Sequence, residues 1–270
     1  MSNAVSARAV LAARGLFAAF FPSDCRICDA PLLNISRLPV CEACITAIRP
    51  ISGETCDVCG ETVPVLARAD EMQACSACQE ARPHFARATA FGAYDGELRE
   101  LIHLLKYEQV LPAAGVLGEI LVQAIRKLKL AVPVLVVPVP LHPSKRRQRR
   151  FNQVDLIARA ALKKLAQDQF ELAAKVLVRV KPTVSQIGLT RPQRRENMRG
   201  AFQVVHPTRV TGRSILLVDD VLTTGTTASE CARVLHKAGA EQVWVATTAR
   251  TLRISDSTSR SEHEIEMQAI

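Results

Sequence analysis

The chain has 270 residues, of which 48% are hydrophobic and 23% are charged, so it can bury a sizeable core and is not a wholly disordered polypeptide. The formal net charge of +9 indicates an anionic partner, although charge alone does not distinguish nucleic acid, a membrane surface and phosphorylated substrates. The sequence has no signal-peptide pattern and no apolar stretch long enough to span a bilayer, so we expect a cytoplasmic protein with no transmembrane span.

The first segment, residues 1–22, predicts an N-terminal helix. Residues 4–20 are rich in Ala, Leu and Phe, contain Gly15 as their only strong helix breaker, and are followed closely by Pro22. The apolar side of this helix would pack on the rest of the protein or lie on a membrane surface.

Residues 23–84 contain eight of the nine cysteines, arranged as four Cys-x-x-Cys pairs. The pairs are Cys25/Cys28, Cys41/Cys44, Cys56/Cys59 and Cys75/Cys78. One such turn places two thiolates on a metal ion, and two turns complete a tetrahedral site, so the segment resembles a double zinc ribbon with two structural zinc ions. The spacing allows sequential or cross-braced pairing. Redox-active pairs and a secreted disulfide framework are less favoured, because the context is neither thioredoxin-like nor secretory.

Residues 85–253 predict a second domain, in which strands alternate with helices. Strands are expected at Ala88–Tyr94, Val134–Val137, Val176–Val180, Ile215–Val218 and Gln242–Thr247. Helices are expected at Glu97–Tyr107, Ala113–Lys129, Asn152–Leu165 and Thr227–Ala238, the first with Leu98, Leu101, Ile102 and Leu105 on one face. This order is typical of an α/β fold with a mainly parallel sheet flanked by helices. Residues 254–270 are expected to form a disordered tail.

The most informative segment directly follows the strand Ile215–Val218. Two adjacent carboxylates, Asp219 and Asp220, stand where open α/β sheets bind their ligands. A short run, Thr223–Thr227, then opens a helix, and its amides, hydroxyls and glycine are suited to bind an anion. The acids would repel a phosphate but accept hydrogen bonds from neighbouring hydroxyls, so the segment predicts a site for a 5-phosphoribosyl group.

Two cation-rich segments accompany this site. The first is a basic loop at Lys145–Arg150, which follows the strand Val134–Val137, and the second is the polar, arginine-rich stretch Lys181–Arg199. Arginine and lysine side chains can hold the oxygens of a diphosphate and stabilise the charge that develops when it leaves. The lone cysteine of the domain, Cys231, is expected to be a small core residue.

Several motifs in one order resemble the ComF family, the competence-protein-F-like phosphoribosyltransferases. They are the cysteine pairs, Ile102–Tyr107, the Val-Pro-Leu-His-Pro stretch from Val139, Phe151–Gln153, Arg194–Phe202 and the acidic phosphate motif, which together span about residues 20 to 250. The acidic motif is similar to that of type I phosphoribosyltransferases. One departure is visible, since the family usually has glycine where this chain has Arg150.

The resemblance implies binding of 5-phosphoribosyl-1-diphosphate with magnesium and transfer of the phosphoribosyl group to an unknown acceptor, usually a nitrogen. Asp219 and Asp220 would bind the ribose 2′- and 3′-hydroxyls, and Thr223, Thr224, Gly225, Thr226 and Thr227 the 5′-phosphate. Leu141–Asn152 would be the diphosphate loop and Lys181–Arg199 a mobile loop over the reacting centre. The further substrate-binding candidates are Lys106, Lys145, Arg146, Asn152, Arg194, Arg195 and Arg199.

The alternative is a protein without catalytic activity. It would sense a phosphoribosyl ligand, or use the zinc ribbons and basic loops to dock on single-stranded DNA or on DNA-uptake proteins. Aromatic residues form only 4% of the chain, which weakens the case for a dedicated single-strand binder that stacks bases.

Overall fold

The computed structural model describes residues 23–32, 36–63, 73–130, 132–166, 168–181 and 191–252. The predicted N-terminal helix within residues 1–22 and the predicted disordered tail at residues 254–270 lie outside these ranges. Within them, no helix is long and apolar enough to cross a membrane.

The cysteine-rich region contains two copies of one local design. Each copy has a short bridge beside its first cysteine pair, Asp24 to Pro31 in the first and Thr55 to Thr62 in the second. Each copy then has a short helix that starts directly after its third cysteine, α1 (Glu42–Ala47) and α2 (Ser76–Glu80). We call the two copies the first and second ribbons.

The second domain is built on a five-stranded parallel sheet, as the sequence predicts. Its strands are β1 (Arg87–Ala93), β2 (Val134–Pro138), β3 (Phe170–Leu172), β6 (Ser214–Leu222) and β7 (Gln242–Arg250), in the order β1-β7-β6-β2-β3. Two further strands, β4 (Leu177–Arg179) and β5 (Phe202–Val204), form a separate antiparallel pair. The central strands are apolar along most of their length because both faces of the sheet are covered.

Helices cover the two faces unequally. On one face lie α3 (Gly96–Lys106), α4 (Ala113–Arg126) and α6 (Gln153–Leu162), and the predicted apolar stripe of α3 is fully buried there. On the other face lie α8 (Thr226–Lys237) and the β4–β5 pair, with Cys231 in the core as expected.

Of the predictions for the region between β2 and β6, the basic loop was wrong, whereas the strand near Val176–Val180 is confirmed as β4. The basic stretch Lys145–Arg150 is not a loop but largely a helix, α5 (Pro143–Arg149), because Pro143 starts it, His142 caps it and lysine, arginine and glutamine favour it. The strand expected at Val176–Val180 pairs with β5 rather than joining the main sheet, whose edge is β3. The stretch Lys181–Arg199 contains a helix, α7 (Arg191–Met198).

The ribbons lie along the outer side of β1. The amide of Ile51, between the two ribbons, donates to the carbonyl of Phe91 at 2.7 Å, and the amide of Ala88 donates to the carbonyl of Val58 in the second ribbon at 2.7 Å. The edge strand β1 therefore forms backbone hydrogen bonds on both sides, with β7 and with the ribbon region.

Candidate functional site

The predicted anion-binding loop lies between β6 and α8. Strand β6 ends at Leu222, and Gly225 caps α8 with φ of 73°, a left-handed conformation that glycine adopts without strain. The hydroxyls of Thr224 and Thr226 lie 2.9 Å apart across the turn. The start of a twelve-residue helix and the hydroxyls beside it form the type of environment that binds a phosphate. We call residues 223–227 the phosphate loop.

The two acids lie within β6, since the strand continues past Val218 to Leu222. Successive strand residues point to opposite faces of a sheet, so Asp219 and Asp220 have different neighbours. The buried Asp220 carboxylate accepts hydrogen bonds from the Lys106 ammonium at 2.9 Å and the Gln153 amide at 2.8 Å. Burial opposes the charge on Lys106, but Asp220 outweighs this and raises the pKa of the lysine. Both oxygens of Asp220 are thus engaged within the protein.

Asp219 is half-buried and lies on the α8 side of the strand. One of its oxygens accepts the backbone amide of Asp220 at 2.9 Å. Burial, followed by the neighbouring Asp220, raises the pKa of Asp219 to about 8, although Lys106 and Arg179 act in the opposite direction. Asp219 is therefore poised to change protonation state near neutral pH.

A cavity of about 440 Å³ adjoins the phosphate loop. The loop contributes Thr223 to Thr226, and helix α8 contributes Ser229, Glu230 and Arg233. The second ribbon contributes residues including Cys59, Glu61 and Cys78, and the linker from this ribbon to β1 contributes Arg82 and His84. The wall also contains Glu196, Arg199 and Arg250, and three of its arginines pair with its three glutamates: Arg250 with Glu61, Arg199 with Glu196 and Arg233 with Glu230. The cavity therefore carries both signs of charge and lies between the ribbon and the phosphate loop.

The basic helix α5 directs its cations to two places. Lys145 lies in the field of Asp220 and of the cations Lys106, Arg149 and Arg179, and its pKa is lowered by burial and then by Arg149. The Arg149 guanidinium stacks 5.0 Å from the centre of the Tyr107 ring. By contrast, Arg146 lines a separate groove of about 940 Å³. That groove also contains the cations Arg147, Arg150, Arg159, Lys175 and Arg179.

A pair of neutral aromatic groups lies beside Lys106. The Tyr94 hydroxyl and His103 Nε2 are 2.9 Å apart, and the His103 ring meets Tyr107 edge to face at 5.2 Å. Burial raises the pKa of Tyr94 and lowers the pKa of His103, so both side chains are uncharged at neutral pH. They add polarity to this side of the site without adding charge.

The remaining predicted binding residues have varied positions. Asn152 caps α6, accepting the Val154 amide at 3.1 Å and donating to the Val139 carbonyl at 3.1 Å, so its amide group also shapes the local backbone. Arg194 is half-buried on α7, and Arg199 is exposed beside the phosphate-loop cavity. The side chain of Arg195 and residues 182–190 lie outside the described part of the chain.

Sequence reasoning missed several residues of this region. Gln153, which holds Asp220, belongs to the Phe151–Gln153 motif, but its role depends on a contact 67 residues away. Arg250 ends an apolar strand and Glu61 follows a cysteine pair, so neither has a local pattern that indicates a site. These contacts are set by tertiary packing and leave no periodic trace in the sequence.

The cysteines form two separate four-thiol clusters. In each cluster all Sγ atoms lie within 4.8 Å of one another; the clusters are Cys25, Cys28, Cys41 and Cys44, and Cys56, Cys59, Cys75 and Cys78. Sγ separations of 3.6 to 3.9 Å match the spacing of about 3.8 Å expected when four thiolates surround zinc at about 2.3 Å. Backbone amides also donate to Cys25 Sγ and Cys56 Sγ at 3.3 Å. The donors therefore fit structural zinc, and the sequential pairing is confirmed.

Two family models match the chain. The double zinc ribbon domain matches residues 16–79, and the phosphoribosyl transferase domain matches residues 170–268, which include β6, the phosphate loop and α8. The DNA utilization protein YhgH of Salmonella typhimurium is 32% identical over 235 residues, and Competence protein F of Haemophilus influenzae is 30% identical over 236 residues. Each alignment covers 86% of this chain and 98% of the relative.

Solved structures align more distantly. Glutamine phosphoribosylpyrophosphate amidotransferase from B. subtilis aligns with 50% of this chain at 21% identity and a TM-score of 0.33, and this chain spans 26% of that one. A hypoxanthine phosphoribosyltransferase from Staphylococcus aureus aligns with 54% of this chain at 12% identity and a TM-score of 0.32, and 69% of that chain is covered.

Proposed function

Because this chain belongs to the competence protein F (ComF) family, we propose that it binds 5-phosphoribosyl-1-diphosphate and transfers the phosphoribosyl group to an acceptor. The observation that carries the proposal is the juxtaposition on β6. A half-buried carboxylate, Asp219, lies on the strand that leads into the phosphate loop at the start of α8, and the cations Lys106 and Arg179 lie near it.

Each part of the ligand has a matching group. The phosphate loop takes the 5′-phosphate through the α8 amides and the threonine hydroxyls. The Asp219 oxygen that Asp220 does not use forms hydrogen bonds with the ribose hydroxyls, as an acceptor when the carboxyl is ionised and as a donor when it is protonated. Lys145 on α5 lies near Asp220 with Arg149 beside it, and these two cations hold the diphosphate. Asp220 has a supporting part, since Lys106 and Gln153 fix its position.

Magnesium is the metal that such a ligand requires. Of this chain's residues, Asp219 would hold the ion, through water molecules, beside the diphosphate of the ligand. The chemistry that the ion would supply there is neutralisation of negative charge on the diphosphate.

The reaction is a substitution at C1 of the ribose. The acceptor's lone pair forms the new bond to C1 while the bond from C1 to the diphosphate oxygen breaks, and the electron pair leaves with the diphosphate. A nitrogen acceptor then releases a proton to solvent or to a neighbouring base. The cations of α5 favour departure because they stabilise the leaving group.

A second function, ligand sensing without catalysis, is supported by one specific observation. Both oxygens of Asp220 are engaged by Lys106 and Gln153, which leaves Asp219 as the acid with an open oxygen. Such a protein would bind the phosphoribosyl ligand and pass the signal to DNA or to a protein partner of the ribbons.

Calorimetric titration of the purified protein with 5-phosphoribosyl-1-diphosphate and magnesium tests the binding step. We expect saturable binding that is lost in the Asp219→Asn, Asp220→Asn double variant and strongly weakened by Asp219→Asn alone. Asp168→Asn is the matched control, because Asp168 is exposed before β3 at the opposite end of the strands. Absence of binding by folded wild-type protein would reject the proposal.

A second assay separates catalysis from sensing. Wild-type protein with bound ligand is supplied with candidate nitrogen acceptors, and release of diphosphate is measured against the double variant. Acceptor-dependent release supports transfer, whereas binding with no release across the acceptors supports the sensor.

A further inference from the structure

The second ribbon and the phosphate loop share the walls of one cavity. Cys59, Glu61 and Cys78 face the same space as Thr223–Thr226. Among the described residues that line this cavity, none belongs to the first ribbon. The two zinc sites are chemically alike, so their different surroundings raise the question of what the second one does.

Arg250 connects the second ribbon to the strand that carries the acids. It ends β7, where it pairs in register with Leu222, the last residue of β6 before the phosphate loop. Its guanidinium donates to the backbone carbonyl of the zinc-ligand residue Cys59 and to the Glu61 carboxylate at 2.8 Å. The side chains of Arg250 and Glu61 are only 3% and 6% exposed, so the ion pair is shielded from water and from salt.

A second connection runs through the linker between the ribbon and β1. The ring of Phe85 packs against Gly225, since a Cβ at that glycine would be 3.7 Å from the ring. The amide of His84 donates to the Ser229 hydroxyl in the first turn of α8 at 3.1 Å, and His236 of the same helix lies 3.1 Å from the His84 carbonyl. Residues just after the second ribbon thus hold the start and the end of α8.

The ribbon itself is seated closely on the sheet. Gly60 follows the zinc ligand Cys59 with φ of 71°, and a Cβ there would be 2.9 Å from the Ala88 carbonyl of β1. The amide of Ala88 in turn donates to the Val58 carbonyl. The backbone of the zinc-binding turn therefore contacts the backbone of β1 directly. We expect a displacement of this turn to displace β1 as well.

The first ribbon is attached differently. Its helix α1 packs on α3, and its ion pair with the second domain, Arg26 to Glu108 at 3.7 Å, is exposed at 61% and 46% of the two side chains. An exposed ion pair at this distance contributes little to the stability of the contact between the first ribbon and the second domain.

We propose that the second zinc site positions the phosphate loop, with Arg250 as the positioning residue that links the metal-bound turn to the end of β6. The inference rests on the proposed function, because it concerns affinity for the 5′-phosphate of that ligand. Loss of zinc from the second site weakens 5′-phosphate binding, whereas loss from the first site does not.

The first experiment compares Cys56→Ser with Cys25→Ser, each the first ligand of its cluster. Zinc content is measured by mass spectrometry and affinity by calorimetry with ribose 5-phosphate. We expect each variant to lose one zinc ion, and only Cys56→Ser to lower the affinity, by about tenfold. Equal affinities for the two variants would overturn the inference.

A second variant covers the case in which Cys56→Ser fails to fold. Arg250→Met removes both links but leaves all eight cysteines, so two zinc ions should remain bound. We expect weaker binding of ribose 5-phosphate with unchanged binding of inorganic diphosphate, and partial recovery in Arg250→Lys. A general loss of structure would weaken both ligands equally, and that result would also overturn the inference.

Reciprocity gives a test on the unaltered protein. If zinc in the second site favours 5′-phosphate binding, ribose 5-phosphate must tighten that zinc by the same factor. Chelator titration should show one of the two zinc ions held about tenfold more tightly with the ligand present. No change while the ligand binds would reject the coupling alone, whereas absence of ligand binding to the wild type would reject the proposed function as well.

Discussion

The two faces of β6 place its two adjacent aspartates in different environments. Asp220 is held by Lys106 and Gln153 on the α3 and α6 face, where its charge is compensated and both oxygens are engaged. Asp219, one residue earlier, lies on the α8 face, and burial with a nearby carboxylate raises its pKa to about 8. The difference shows that a pair of acids in a motif need not act as a pair, because a strand sends its neighbours into separate environments.

The largest expected effect comes from removing the compensated acid. Asp220→Asn leaves the buried Lys106 ammonium without its carboxylate, so we expect a loss of about 3 kcal/mol in the free energy of unfolding. Urea denaturation followed by circular dichroism measures it. Lys106→Met, combined with Asp220→Asn, should recover part of the loss, because no unpaired charge is then buried. If the Asp220→Asn protein were as stable as the wild type, the ion pair between Lys106 and Asp220 would be contradicted.

Asp219→Asn should instead increase the free energy of unfolding near neutral pH. The unfolded carboxyl releases its proton near pH 4, whereas the folded one retains it to about 8. The folded state therefore binds more protons in this window, and stability falls as pH rises through it. Asparagine removes that loss, so the stability of the variant relative to wild type should grow from pH 5 to pH 8.

Denaturant titrations at pH 5, 6.5 and 8 measure this trend. Asp168→Asn, at an exposed position, should show no comparable trend. A difference between Asp219→Asn and wild type that stays constant with pH would contradict the raised pKa.

The smallest effect concerns backbone strain at the end of α5, where Arg150 lines the groove. Arg150 has φ of 67°, the left-handed region in which a non-glycine residue costs about 1 kcal/mol or more. Arg150→Gly should therefore stabilise the protein by about 1 kcal/mol. Arg147→Gly, within the same helix, should destabilise it by a similar amount, about 1 kcal/mol. Thermal unfolding of the two variants would show opposite shifts, and a shared direction would contradict the strain.

The sequence predicted most of the sheet because buried parallel strands carry a simple pattern. Val134–Val137 and Ile215–Val218 are uninterrupted apolar runs, and they correspond to nearly all of β2 and to the first half of β6. Strand β3 has three residues, too few for a pattern, and the partner of β4 depends on distant pairing. The sequence predicts a loop where α5 lies because a run of like charges is typical of a solvated segment, although Pro143 is also typical of a helix start.

For the candidate site, local sequence identified the acids and the phosphate loop but not their surroundings. The prediction ended the strand at Val218, so Asp219 and Asp220 seemed to share one edge, whereas β6 continues and places them on opposite faces. At the position where the family usually has glycine, Arg150 adopts the left-handed conformation that glycine favours. Glu61 and Arg250 meet across 189 residues, which no local pattern can reveal.

The hydrogen bonds from the ribbon region to β1 have a consequence for colloidal behaviour. An uncovered terminal strand offers its amides and carbonyls to any other chain, and β1 is rich in buried apolar residues. Here the carbonyls of Phe91 and Val58 and the amides of Ile51 and Ala88 satisfy one another, so the ribbon region covers this edge of the sheet. We therefore expect protein without zinc, in which the ribbons no longer hold this edge, to aggregate more readily than the zinc-bound protein.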